Sequence, residues 1–376
     1  MKNWKIPLFK IIIEKEDITF VSKVLKRGMH WAEGPEIEEF ENQLSQYVGR
    51  KHCVTFNSGT SALHGTLLAL DVKKNDEIIV PSFTFISTVN STLMVNATPK
   101  FVDIENDTFG IDPTLLESSI TKKSKIILPI HYGGLPCKIN EIKKICKKNN
   151  LFLVEDAAEA LGSKIKDKMI GSFGDVSMFS FAGNKILTTG EGGAITTDSL
   201  KIANKLKLIR SHGRVTKNYF QNSGKPNYTQ LGFNWRMSSI TAALGLTQLN
   251  KLEKLISIRR RNAHFLNSHL KKIPTITVPN EPKNYKHVYQ FYTILLPNQK
   301  TRDQLKKFLD SKQIMSKVFF YPVHLTNFYQ KFTPKLKLVK TENISNRVLS
   351  LPLFPTMTRE ELIFICDSIN IFFEKL

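Results

Sequence analysis

The sequence predicts an α/β fold, a three-layer unit built on a mainly parallel sheet, followed by a smaller α+β unit. Three observations carry this expectation. Between residues 53 and 156, short apolar, β-branched runs alternate with helix-length runs, the pattern of strands covered on both faces and joined by helical crossovers. The chain has 376 residues, enough for roughly two or three structural units at ~150 residues each. After Pro274 the segments shorten and the pattern changes.

The elements follow in order. Residues 14–27 carry Ile18, Val21, Val24 and Leu25 on one helical side, and Gly28 stops them. After the loop GMHWAEGP a second helix fits 35–48, with Pro35 in its first turn and acidic residues near its start. CVTF (53–56) reads as a strand and SALHGTLLAL (61–70) as a helix. EIIVP (77–81) is a strand, and FISTVNSTLMVN (85–96) is a helix. PKFVDI (99–104) and KIILPIH (125–131) are strands. INEIKKICKKN (139–149) is a helix with Ile139, Ile142 and Ile145 at helical spacing, and LFLVED (151–156) is a strand. VSMFSF (176–181) and GAITTD (193–198) read as strands joined by a Gly-rich loop. A helix over 199–211 follows, then a polar loop over 212–230 containing Gly213, Gly224 and Pro226. A long helical region runs from about 237 to 270. HVYQFYTILL (287–296) alternates like a half-exposed strand, TRDQLKKFLDSK (301–312) is a helix, and MSKVFF (315–320) is a strand. The last helix opens at Thr358 with Glu361 three residues on, a capping-box signature. The division between units falls inside the long helical region: 1–250 the larger, 251–376 the smaller.

Composition narrows the function classes. Hydrophobic residues make up 41% of the chain, which excludes disorder as a description of the whole. No stretch reaches ~18 uninterrupted apolar residues, so no membrane-spanning helix is expected. The start, MKNWKIPLFKIII, is interrupted by Pro7 and Lys10 and reads as mature sequence of a cytoplasmic protein. Cys53, Cys137, Cys146 and Cys366 form no C-x-x-C pair, so reduced thiols are expected and no metal site. Lys plus Arg is 54 against 33 for Asp plus Glu, a formal +21. That balance raises nucleic-acid binding or a regulatory role as an alternative of a different class. The distribution argues against it: the lysines are scattered, no basic tail is present, and Arg259, Arg260 and Arg261 fit the solvated face of a helix. A basic surface equally suits a small polyanion such as a sugar-nucleotide pyrophosphate.

Three runs carry chemistry. In FNSGTSALH a strand ends at Phe56 and Ser58-Gly59-Thr60 leads into a helix. Gly59 lets backbone amides approach a ligand, the helix N-terminus favours an anion, and the two hydroxyls add donors. A phosphate cup and an ordinary helix N-cap both fit. In LFLVEDAAEALGS, Asp156 ends a very apolar strand, at the edge where open parallel sheets bind ligands. A carboxylate there either pairs with a cation or protonated nitrogen, or caps the Ala-rich turn that follows. Glu159 lies near the same face if that turn is helical. In VSMFSFAGNKILTTGEGGAITTD, Lys185 sits between Phe181, Ile186 and glycines. Desolvation there would free its amine for imine formation, although a loop lysine is commonly just a surface charge. Together, a phosphate cup, a carboxylate for a ring nitrogen and an imine-forming lysine are what pyridoxal 5′-phosphate requires.

At these residues the sequence resembles a family. Asp156-Ala-Ala-Glu159, Ser180-Phe181 with Lys185 five residues after the serine, and Thr189-Gly190-Glu191-Gly192-Gly193 resemble the DegT/DnrJ/EryC1/StrS sugar aminotransferases. So do Gly34-Pro35, SGTSALH, PSFTFISTVN, ATPKFVDI, GFNWRMSSI, PVHL (322–325) and LPLFPTMT (351–358), which span nearly the whole chain. The resemblance implies a fold-type-I pyridoxal-phosphate transferase of the aspartate-aminotransferase kind and a twofold homodimer. It implies ping-pong transfer of an amino group, from L-glutamate, to a nucleotide-linked 4-keto-6-deoxy sugar for surface-glycan (O-antigen) biosynthesis. Within the family, EDAAEALGS and FSFAGNKILTTGEGG look most like the perosamine-forming branch, which aminates GDP-4-keto-6-deoxymannose. A UDP- or dTDP-linked keto-sugar aminated at C4 or C3 is the alternative.

Site residues also follow from the resemblance. Lys185 would form the imine and shuttle the proton, and Asp156 would pair with the pyridine nitrogen. Ser58, Gly59, Thr60 and Ser180 would hold the phosphate or ring oxygen. Phe85 would stack on the ring, with Phe83 as second choice, and Glu159 would sit beside the cofactor. Asn234 would reach the phosphate of the neighbouring subunit's cofactor. His324, Lys317 and Trp31 are expected on the substrate side, with a simply packed histidine the competing reading of His324. Two positions depart from the family: His131-Tyr132-Gly133-Gly134 stands where H-L-Y-G is usual, and Lys317 stands where an Arg is common. Lysine cannot reproduce a bidentate guanidinium contact.

Overall fold

The computed structural model describes residues 3–215 and 225–375. Twelve strands are β1 His52–Phe56, β2 Glu77–Pro81, β3 Thr98–Val102, β4 Ser124–Ile127, β5 Phe152–Asp156, β6 Lys164–Ile165, β7 Lys168–Met169, β8 Val176–Ser180, β9 Gly193–Thr197, β10 Tyr285–Lys286, β11 Tyr292–Leu295 and β12 Val348–Leu351. Seven of them form the main sheet in the order β1-β9-β8-β5-β4-β2-β3. The pairs β2/β3, β2/β4, β4/β5 and β5/β8 are parallel, while β9 runs antiparallel to both neighbours. The fold is therefore a mostly parallel α/β sheet of the type expected.

Strand burial follows the period of two. Ile79, Ile127 and Leu153 enter one apolar cluster, and Ile78, Val80, Ile126 and Val154 enter the other. Both faces are dry, which is why these strands read as continuous apolar runs. A third cluster joins Ala263, Leu266, Tyr292, Ile294, Leu349 and Ile365 in the C-terminal part of the chain, with Ile6 added from the N-terminal segment. Among the described residues no helix is long and apolar enough to cross a membrane, and all four cysteines are buried thiols.

Most elements stand where the sequence places them. Helices Lys15–Arg27, Pro35–Val48, Ile139–Lys148 and Gln299–Ser311 match the expected spans, and Gly28 caps the first in the left-handed conformation. Thr358 and Glu361 form the expected capping box. Three expectations are corrected.

The long helical region is two helices, Ser239–Asn250 and Leu252–Leu270, broken at Lys251 (φ −100°, ψ 1°). The Lys251 ammonium pairs with Asp17, which is 1% exposed and also accepts from Thr247 Oγ1 at 2.5 Å. The segment 287–296 is a strand only over Tyr292–Leu295, and it is not half-exposed: His287 through Ile294 are all buried. Val288 and Phe291 donate their amides to the carbonyls of Gly134 and Gly133 rather than to a strand partner. Residues 315–320 form no strand, only one bridge between Lys317 and Ser350, because Phe319 and Phe320 turn into an aromatic cluster with Tyr132 and Phe291. Within the expected polar loop, Arg214 bridges Tyr228, whereas 216–224, including Gly224, lies outside the described residues.

Candidate functional site

The carboxyl end of the parallel strands carries the site. β5 delivers Asp156, and β8 delivers Ser180. The β8–β9 connection carries Lys185, and the turn after β1 carries Ser58, Gly59 and Thr60. Gly193 explains one glycine of TTGEGG: a Cβ there would lie 2.6 Å from Gly59 N and from Ser58 C and O. Only a glycine lets β9 approach the turn so closely. Ser58 caps the helix Gly59–Ala69, its hydroxyl accepting from Ser61 N at 3.1 Å, and Thr60 Oγ1 lies 2.8 Å from Ser87 Oγ. Ser58 is thus a helix cap, and Ser58, Gly59 and Thr60 all line the cavity described next.

The charged centre is tight. Asp156 is buried and accepts from Thr88 Oγ1 at 2.7 Å and from Ala158 N at 3.1 Å. Burial pushes its carboxyl above the ordinary range, against the pull of those two donors and of the Lys185 and His131 charges. Lys185 Nζ lies 3.6 Å from Glu159 Oε1, with the two side chains 13% and 10% exposed. The other Glu159 oxygen accepts from Gly133 N at 2.8 Å. Burial also raises the Glu159 carboxyl, and the Asp156 charge adds to this, while Lys185 and the Gly133 amide oppose it. Gln290 fixes the lysine loop by accepting from Ile186 N at 3.1 Å and donating to Asn184 O at 2.7 Å.

These groups line a cavity of about 570 Å³ that includes Ser58, Gly59, Thr60, Phe85, Asp156, Glu159, Ser180, Lys185 and Lys317. Phe85, 59% exposed, stands at its wall. Phe83 does not: it is fully buried and stacks on Tyr132 at 5.0 Å between centroids. His324 does not line this cavity either. It is 1% exposed, with Nδ1 2.6 Å from Ser82 Oγ and Nε2 3.4 Å from Glu342 Oε1, so both ring nitrogens are spent on packing outside the cavity. Trp31 donates its indole N–H to Val24 O at 3.0 Å, and Asn234 bridges Ser211; neither lines this chain's cavity. The unusual Tyr132 is buried, and its hydroxyl donates to Phe319 O.

Sequence reasoning missed Thr88, Gly133, Gln290 and the N-terminal Leu8 and Phe9, which close one side of the cavity. Thr88 lies inside PSFTFISTVN, whose alternation of hydroxyl residues was the available signal. A backbone amide such as Gly133 has none.

Pyridoxal phosphate fits this donor set. A buried carboxylate with two donors and an upward-shifted pKa calls for a cation, which a protonated ring nitrogen supplies. The helix N-terminus with Ser58, Thr60 and Ser180 suits a phosphate dianion, and Lys185 Nζ is within the same cavity. Among the described residues no group of three or more His, Cys, Asp or Glu is placed to hold a metal ion.

The comparisons with known proteins agree with the geometry. Residues 11–370 match the DegT/DnrJ/EryC1/StrS aminotransferase family. The chain is 35% identical over 369 residues to the GDP-perosamine synthase of Escherichia coli O157:H7, covering 98% of each chain. Among solved structures, Helicobacter pylori PseC, an aminotransferase involved in the biosynthesis of pseudoaminic acid, superposes with a TM-score of 0.93 at 30% identity, covering 99% of this chain and 100% of that one. NtdA from Bacillus subtilis with bound cofactor PMP superposes at 0.87 and 28% identity, covering 96% of this chain and 83% of that one.

Proposed function

Because the chain belongs to the DegT/DnrJ/EryC1/StrS family and is a pyridoxal-phosphate-dependent sugar aminotransferase, we propose that it aminates a nucleotide-linked 4-keto-6-deoxy sugar. The substrate in this reading is GDP-4-keto-6-deoxymannose, the donor is L-glutamate, and the product is GDP-perosamine for a surface polysaccharide. The observation that carries the reading is the cluster of Asp156, Glu159 and Lys185 within one cavity, joined to 35% identity with a GDP-perosamine synthase.

When bound, pyridoxal phosphate supplies an aldehyde carbon for the lysine and a ring that accepts electrons. The chain's residues do the rest. Asp156 keeps a proton on the ring nitrogen, and the helix N-terminus with Ser58, Thr60 and Ser180 holds the phosphate. Lys185 Nζ, freed when the donor binds, would take the proton from the donor's α carbon and deliver it to the cofactor's former aldehyde carbon. Glu159 gives the released ammonium a partner. Phe85 covers one ring face, and Lys317 meets the sugar nucleotide.

The working division is 1–250 for the cofactor part and 251–376 for the smaller part. Asn234 and Trp31, outside their own cavity, serve the cavity of a twofold partner in a cytoplasmic homodimer. The exposed Met29, Trp31 and Leu231 are apolar groups that such an interface would cover. A UDP- or dTDP-linked sugar aminated at C4 or C3 is the second reading, favoured by the departure at Lys317, which lines the cavity.

The test has two stages. The purified enzyme should show a visible cofactor band that L-glutamate converts to a near-ultraviolet one. Turnover is then compared across GDP-, UDP- and dTDP-linked keto-sugars. Fastest turnover on GDP-4-keto-6-deoxymannose supports the reading, and preference for another nucleotide or for C3 overturns it.

A further inference from the structure

A second large cavity lies at the opposite end of the sheet. It holds about 830 Å³ and is lined by residues just before β1, β5 and β8 and just after β9. Its cations are poorly compensated. The Arg50 side chain is only 6% exposed. It pairs with Asp198 at 2.7 Å and donates to Gly174 O, yet its buried Nε has no hydrogen-bond partner among the described residues. Lys143 and Lys147 stand one turn apart on the helix Ile139–Lys148, and no carboxylate pairs with either among the described residues. Asp175 also lines the cavity, but one of its oxygens accepts from Leu153 N at 2.8 Å.

The local field agrees. Lys168, beside the cavity, has its ammonium pKa lowered by burial and then by the charges of Lys143 and Arg50, against the opposing pull of Glu155 and Asp198. The cavity also has an apolar wall. Phe152 opens β5 yet stays 37% exposed, and Leu151 and Ile202 flank it.

We infer that this cavity is a second ligand site, separate from the cofactor cavity, that takes a nucleoside diphosphate. Its phosphates would meet Lys143 and Lys147, with the buried Arg50 adding charge from beneath, and its base would lie against Phe152. A volume of this size is in the usual range for small-molecule sites. Cations and an aromatic wall in one cavity suit phosphate and base together, without selecting the base.

Titration calorimetry of the full-length, pyridoxal-phosphate-loaded enzyme with ADP and with inorganic pyrophosphate tests the site. Both probes should bind. Lys143→Glu with Lys147→Glu should weaken one binding event for each probe by about tenfold or more, leaving the visible cofactor band and the melting temperature unchanged. Phe152→Ala should weaken ADP several-fold and leave pyrophosphate alone. Absence of binding, or binding of both probes that the double charge reversal leaves intact, overturns the site. Equal ADP affinity in wild type and Phe152→Ala overturns the nucleoside part.

Discussion

Glu155 and Asp156 are consecutive on β5 and point to opposite faces of the sheet. Glu155, fully buried, accepts from the amides of Phe173, Gly174 and Gly171 and from Ser177 Oγ, with His131 Nε2 at 3.2 Å. Burial pushes this carboxyl up, but its partners outweigh burial and hold it at about 2. Asp156 has two donors, burial wins, and its carboxyl is raised. The same apolar strand thus carries one carboxylate that the fold satisfies and one that it leaves short. The first ties together β5, β8 with the loop before it, and the segment that follows β4. The second has capacity in reserve for a cation that arrives with a ligand. Incomplete satisfaction is a cost that a protein retains where function needs it.

The strongest way to test that contrast is at the functional end. Lys185→Ala should lower turnover by about 10⁴-fold or more and remove the visible band, with thermal unfolding little changed. Retained multiple turnover would take Lys185 out of the mechanism. Asp156→Asn should cost on the order of 10²–10³-fold in kcat while leaving stability equal or slightly higher, because a strained charge is removed. A large loss of stability in this variant would erase the distinction between the two carboxylates.

Glu155→Gln should do the reverse. Stability should drop by about 3 kcal/mol, since the amide cannot accept from so many donors, with kcat reduced less than in Asp156→Asn. Denaturant unfolding of the two variants side by side reads the comparison directly.

Acid titration sharpens it further, because the two groups have opposite signs. Glu155 has its pKa depressed from an ordinary 4.5 to about 2, so its stabilisation is present above 4.5 and is lost as pH falls toward 2. Asp156 and Glu159 are raised from ordinary values of 3.8 and 4.5. Their cost is absent below those values and grows as pH rises through the folded pKa. The melting temperature of Glu155→Gln should therefore fall less than wild type between pH 4.5 and 2. That of Asp156→Asn should decline less as pH rises from about 4 toward neutrality. Parallel curves for all three proteins would contradict the assigned environments. The smallest effect is expected for Glu159→Gln, less than about tenfold in kcat, because an amide oxygen can still accept from Gly133 N. A larger loss would give Glu159 a role in proton transfer beyond holding Lys185.

Legibility in the sequence was uneven for physical reasons. Helix ends read well because caps act within three or four residues: Gly28 and the Thr358–Glu361 box both form as expected. The buried strands read well because dry faces demand continuous apolar runs. The break at Lys251 was hidden, since it depends on Asp17, 234 positions away. MSKVFF had strand composition, but Phe319 and Phe320 bury more by joining the aromatic cluster than by pairing along a ladder. His324 stood in a family motif, yet Ser82 and Glu342 hold it inside the packing.

The order of the strands' segments, the helix start at Ser58 to Thr60, the carboxylate at the end of β5 and the lysine in its Gly-rich loop are properties of neighbouring residues, so the sequence alone determined them. The donors that set each carboxylate's charge come from elsewhere. Thr88 reaches Asp156 across 68 positions, Gly133 reaches Glu159 across 26, and Gln290 reaches the lysine loop across 106. Tertiary structure alone decided which acid is satisfied and which is left in need of a cation, because a hydrogen bond depends on distance in space and is indifferent to distance along the chain.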